Sequence, residues 1–264
     1  MNYRTEITST LGFLERNLSL VKRYLGWEVV FMTYNVVNAL VIGFIGVTQG
    51  KEFVMYLTIG ALVWGFLSVL FHEISESVAW ERWEGTIEYT FMAPIHRFTQ
   101  LFGSCLFAIV YGLIRTVIIL FCVVLFLGLS LKNANLLSAF VVLAVSGLSF
   151  IGLGLVAAVL PLMSTEKGAQ ATHIMEAVIL LVSGVYYEVT VLPKWVQPLS
   201  VFSPATYALK ALRLALLHNA SLKELLPTIL LLLAIGACLI PMGLFVFNIA
   251  EIYAKKTGKL KRNG

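Results

Sequence analysis

The chain runs to 264 residues, 59% of them hydrophobic and only 12% charged, with a mean hydropathy of +0.89. A water-soluble domain carries roughly twice that charged fraction, so the composition excludes a soluble enzyme and predicts an integral membrane protein. The net charge of +5 gathers at the end, where Lys255, Lys256, Lys259, Lys261 and Arg262 form a basic tail suited to anionic lipid at a cytoplasmic surface and not to nucleic acid.

The opening residues are polar and charged, so no cleavable signal peptide is expected. No polar stretch is long enough for a soluble domain, and residues 1–264 read as one membrane domain. Cys105, Cys122 and Cys238 all fall in apolar runs. The first two would sit about 25 Å apart on one helix, too far to bridge, and no metal-binding cysteine spacing is present.

Residues 6–25 predict an amphipathic helix. Ile7, Leu11, Leu14, Leu18, Val21 and Leu25 recur at alternating steps of four and three, with Glu15, Arg16, Lys22 and Arg23 off that stripe. Such a helix lies in the membrane interface instead of crossing it. Six spans are expected after it: 27–47, 53–71, 101–127, 136–162, 174–187 and 225–249, the last kinked at Pro241. A polar cytoplasmic loop over 72–100 separates the second span from the third. Between the fifth and sixth, residues 188–224 are punctuated by Pro193, Pro198 and Pro204. Ser203-Pro204 reads as an N-cap followed by proline at the first helical position. The helix from Ala205 to Leu217 is too short to cross, so a re-entrant element in the outer leaflet is predicted. Ser221-Leu222-Lys223-Glu224 is a capping box opening the final helix. The fold class is therefore all-α integral membrane, with six transmembrane helices, an N-terminal interfacial helix and a short re-entrant element before the last span.

Placing both termini in the cytoplasm puts Arg4, Arg16, Lys22, Arg23, Arg82, Arg97, Lys167 and the five tail cations inside, twelve in all, against Lys51, Lys132, Lys194, Lys210, Arg213 and Lys223 outside, six in all. The excess predicts a multi-pass protein of the cell membrane with both termini cytoplasmic.

Glu81-Arg82-Trp83-Glu84-Gly85-Thr86-Ile87-Glu88, ending in Ala93-Pro94, is a concentrated polar block in an otherwise greasy chain. It reads as the docking point for a cytoplasmic partner. His72-Glu73-Ile74-Ser75-Glu76 is a fragment of a zinc-protease pattern with Glu76 where the second histidine belongs, so a polar helix end is expected and no metal. No catalytic residue and no nucleotide site is expected. Gly50-Lys51 and Gly258-Lys259 lack the remainder of a phosphate-binding loop, so any ATP must be bound, with its Mg²⁺, by another polypeptide.

Arg115 falls near the middle of the third span and Glu176 in the inner half of the fifth. An unpaired charge there costs at least about 2.5 kcal/mol, so the two are expected to pair, as part of a substrate path or as a structural tie. Tyr34, Asn35 and Asn38 in the first span and Trp64 in the second either line a cavity or bond a neighbouring helix. Tyr186 and Tyr187 mark the outer aromatic belt or a gate.

The block at 81–88 followed by Pro94 resembles the cytoplasmic loop of type-two ABC exporter permeases. Ser183-Gly184-Val185-Tyr186-Tyr187, then Leu192-Pro193-Lys194-Trp195, then the stretch from Ser203-Pro204-Ala205-Thr206-Tyr207 to Arg213, resembles that family's segment after the fifth span. Glu188 stands where many members carry proline, and Arg115 is not a general feature. The resemblance implies a second permease subunit, making a homo- or heterodimer, and two cytoplasmic ATP-binding cassette subunits. It makes 81–88 a coupling helix with Trp83 as apolar anchor and Glu81, Arg82 and Glu84 as orienting charges. The first, second and fifth spans would line a path for an amphipathic or lipid-like substrate such as a drug, peptide or lipid. A six-span ion-coupled transporter relaying charge through Arg115 and Glu176, or a non-transporting assembly protein, are the alternatives.

Overall fold

A computed structural model describes residues 3–93, 97–132, 134–164 and 167–258, with the side chains of residues 3–5, 97 and 169 undescribed. Pro94, Lys259, Lys261, Arg262 and the side chains of Arg4 and Arg97, which entered the sequence reading, lie outside the described residues.

All regular structure among the described residues is helical. Helix α1 (Tyr3–Arg23) lies along α5, and Phe13 and the Thr10 carbonyl crowd Gly103 there. Helix α2 (Leu25–Gly46) turns through a short 3-10 segment and Gly50, whose φ of +102° suits only glycine, into α3 (Lys51–Glu84). At 34 residues, α3 is about 50 Å long, well beyond the roughly 30 Å of hydrocarbon. It is the hub of the bundle: Phe66, Leu67, Leu70, Phe71 and Ile74 are fully buried against α5, α6 and α10. The predicted loop from residue 72 is thus largely helix. Its charged residues follow the helical repeat and end at Gly85, left-handed at φ +75°. Helix α4 (Ile87–Met92) comes next.

Helix α5 (Arg97–Leu127) is followed by α6 (Leu136–Ala157), which opens on Asn135, its side chain accepting from the Ser138 amide. The expected fourth span is split, because the chain steps at Ala158 into α7 (Val159–Met163). Helix α8 (Gly168–Ser183) is 16 residues, about 24 Å, and stops short of the expected 187. Gly184, at φ +67°, caps it and leaves Tyr186 and Tyr187 beyond its end. Helices α9 (Gln197–Phe202) and α10 (Pro204–Leu217) follow. Ser203 stands at the N-cap and Pro204 in the first turn of α10, whose alanine and leucine face is buried against α3 and α6.

Helix α11 (Leu222–Thr257) opens on the predicted capping box of Ser221 and Glu224 and runs on through Pro227 and Pro241. It packs along α6, where Gly152, Gly236 and Gly243 let the backbones approach. Among the described residues, five helical segments can cross a membrane by length and composition: Leu25–Gln49, Lys51–Glu84, Phe98–Leu127, Leu136–Met163 and Leu222–Thr257, with Gln170–Ser183 a shorter apolar helix.

Candidate functional site: the C-terminal end of α3 and the polar seams beside it

The end of α3 is fastened on two sides. Glu81 is buried and accepts from Arg16 of α1 at 3.2 Å and from Gln100 of α5, whose amide reaches both carboxylate oxygens at 3.2 and 3.0 Å. Arg82 is fully buried and points the other way. It donates to the Leu162 carbonyl at 2.7 Å and, more weakly, to the Pro161 carbonyl at 3.4 Å, both on α7. Burial of a charge is tolerable only with such partners. These two residues are therefore internal clamps and not surface contacts, which corrects the orienting role expected of them.

What faces outward is aromatic. Trp83 is 66% exposed and meets Trp80, 53% exposed, edge to face at 5.9 Å. Tyr89 and Met92 on α4 are more than 70% exposed, and Glu84, Thr86 and Glu88 are also at the surface. Gly85 makes the turn between the helices, and the Thr86 amide closes it on the Glu81 carbonyl at 2.9 Å. At the same end, Lys255 of α11 lies 4.8 Å over the Phe91 ring while pairing with Glu251. Both terminal helices thus reach the 81–92 segment.

Arg115 and Glu176 do not meet. Arg115 stacks on Tyr111, 5.1 Å from the ring centre, and donates to its hydroxyl at 3.1 Å, while that hydroxyl donates to Glu28 of α2. Glu176 is buried on the seam between α3 and α8. Ser68 donates to one carboxylate oxygen, and His72 Nδ1 and His173 Nδ1 lie 3.9 and 3.6 Å from the other. Ser75 and Thr172 join the same two helices at 3.2 Å. The expected pair is replaced because span depth says nothing about the direction a helix face points.

The remaining candidates are scattered. Tyr34 is 66% exposed on α2, Asn38 is exposed beside it, and the Asn35 amide is turned back onto the Phe31 carbonyl at 2.8 Å. Trp64 and Tyr186 pack against the core, and the Tyr187 hydroxyl donates to the Leu181 carbonyl. Sequence reasoning missed the trio of His72, His173 and Glu176. Its signal was the His173–Glu176 spacing of three, one helical turn, beside the half-motif at His72.

A model of the ABC-2 type transporter family matches residues 14–217, from within α1 to the end of α10. The chain belongs to this family. No curated protein matches the chain. As an ABC-2 type chain it is a membrane-embedded permease subunit, a transport domain and not itself a catalyst. Its partner class is the ATP-binding cassette protein.

Proposed function

We propose that this ABC-2 type permease is half of the membrane part of an ATP-driven exporter in the cell membrane. ATP-binding cassette subunits dock on the outward face of α3 and α4, around Trp80, Trp83, Tyr89 and Met92, and bind the ATP and Mg²⁺ themselves. The observation that carries this reading is the exposed aromatic cluster on a helix end clamped by Glu81 and Arg82. An exposed apolar patch rimmed by polar residues marks an interaction site. A clamped end passes a push from outside into the bundle, because ATP binding acts only by favouring one of two membrane arrangements.

The rest of the topology follows from the same end. The described part of α11 and helix α1 both reach it, which supports an even number of crossings. We count α8 as the sixth, short as it is, with α9 and α10 as the outer re-entrant element, α1 in the interface and both termini cytoplasmic. A second permease subunit covers the sparsely buried α2. The substrate is amphipathic or lipid-like, in keeping with a path lined by Tyr34, Asn38 and apolar side chains.

The test is purification in mild detergent with the ATPase subunit co-expressed. The wild-type chain should retain the ATPase and Trp83→Ala should lose most of it while staying folded. Equal retention by Trp83→Ala and by Trp80→Ala/Trp83→Ala removes the docking assignment. A chain that exports without any ATPase removes the ATP-driven reading and favours ion coupling.

A further inference from the structure

We infer that His72, His173 and Glu176 form a binding site for a divalent transition cation of the zinc class, bridging α3 and α8. One nitrogen from each imidazole and one oxygen of Glu176 lie within 4.8 Å of one another. The ligand types are those of a three-residue zinc site with an open fourth position for water. Ligand atoms about 2.0–2.2 Å from a tetrahedral ion stand roughly 3.3–3.5 Å apart. The separations of Glu176 Oε2 from His173 Nδ1 and His72 Nδ1, 3.6 and 3.9 Å, are already close to that. The contraction needed is within reach of small side-chain rotations.

Three further features favour a cation here. Glu176 is buried, and its ion-pair partners among the described residues are the two histidines. A buried carboxylate needs compensation for its lost hydration, and a divalent ion seated between it and the two imidazoles supplies it. Its second oxygen accepts from Ser68, the kind of outer hydrogen bond that orients a ligating carboxylate. The two rings already stand close, 4.9 Å between centres with their planes tilted by 52°, and the His173 side chain is 61% exposed, which leaves an entry path. His72 Nδ1 also lies 2.9 Å from the Ser68 carbonyl, and that contact is exchanged for the cation when the site fills.

The consequence is mechanical. The Arg82 clamp ties the end of α3 to α7, and Gly168 at the start of α8 packs on Pro161 of the same short helix. A cation between His72 and α8 adds a second tie about 15 Å farther along α3. It fixes the spacing of the two helices where the first tie cannot reach.

The full-length chain carrying a non-histidine tag, purified in detergent after chelation, is titrated with Co²⁺. Wild type should take up one Co²⁺ per chain with the strong visible bands of a four-coordinate ion, and Zn²⁺ should bleach them. His173→Ala, at an exposed side chain and therefore harmless to folding, should weaken binding by about a hundredfold or more. Ser68→Ala should weaken it by about tenfold to a hundredfold through the lost outer hydrogen bond. His218→Ala, remote from the seam, should bind as wild type. The proposal is overturned if wild type takes up no stoichiometric Co²⁺, if His173→Ala binds as tightly as wild type, or if His218→Ala is the variant that loses the ion.

Discussion

Arg82 donates a hydrogen bond of 2.7 Å to the Leu162 carbonyl, one helix away and 80 positions along the chain. Leu162 stands in the last turn of α7, which ends at Met163, so its carbonyl is open to a donor from outside the helix. A charged donor on a free helix end is one of the stronger hydrogen bonds available to a protein. A residue that reads in sequence as part of a docking surface is therefore buried and ties the end of α3 to α7.

Arg82→Ala should lower the stability of the purified chain by about 1.5–3 kcal/mol, the usual worth of hydrogen bonds to a charged group. Arg82→Lys should recover only part of this, since an ammonium cannot reproduce the planar fork. Glu84→Ala, at the surface next door, should stay within about 0.5 kcal/mol of wild type. Denaturant unfolding in detergent reads all three. Equal stability of Arg82→Ala and Glu84→Ala would show that the contacts to α7 contribute nothing.

Arg115 and Glu176 have separate partners, so their substitutions should act independently. Arg115→Met removes the stack on Tyr111, and Glu176→Gln changes the seam of Ser68, His72 and His173. The double variant should equal the sum of the singles within about 0.5 kcal/mol. A coupling energy of about 1 kcal/mol or more in that cycle would restore the direct pair expected from span depth.

The two cases show what was and was not legible in the sequence. The capping box at Ser221 and the proline-marked start of α10 are local patterns that the structure carries, while the helix expected over 6–25 ends at Arg23, with Leu25 already in α2. Hydropathy alone ended the second span near Phe71, whereas α3 continues to Glu84 because helical geometry does not stop where greasiness does. Facing is the harder property. Glu81, Arg82 and Trp83 are adjacent in sequence, and successive residues on a helix point about 100° apart, so two became clamps and one stayed outside. The trio on α3 and α8 joins residues about a hundred positions apart, and no spacing rule reaches that far.

Close backbone approach sets a further expectation. A Cβ on Gly243 would stand 2.8 Å from the Gly152 carbonyl oxygen and from Leu155 Cβ, whereas one on Gly65 meets nothing within 4 Å. Gly243→Val should therefore push α11 off α6 and cost about 1–3 kcal/mol as overpacking does. Gly65→Ala should hold or raise stability by up to about 1 kcal/mol, since it removes glycine's backbone entropy from a helix interior. Thermal unfolding of the two variants side by side checks the contrast, and a destabilised Gly65→Ala would show that the open face of α3 is filled in the purified chain.

The C-terminal end of α8 is held by Arg213 of α10, which donates to the Val185 carbonyl at 2.7 Å and to the Gly184 carbonyl at 3.4 Å. Its guanidinium lies flat on α3, 3.6 Å from the centre of the Tyr56 ring. The left-handed turn at Gly184 frees those carbonyls from the helix, and without a donor they would be left unpaired. Arg213→Ala should cost about 1.5–3 kcal/mol and speed amide hydrogen exchange over residues 184–188. Arg213→Lys should recover less than half, because both the fork and the stacking plane are lost. Tyr56→Phe keeps the ring, and the hydroxyl it removes is buried without a hydrogen-bond partner, so it should be neutral or slightly stabilising. If Tyr56→Phe is as damaging as Arg213→Ala, the hydroxyl and not the ring face is what Arg213 recognises.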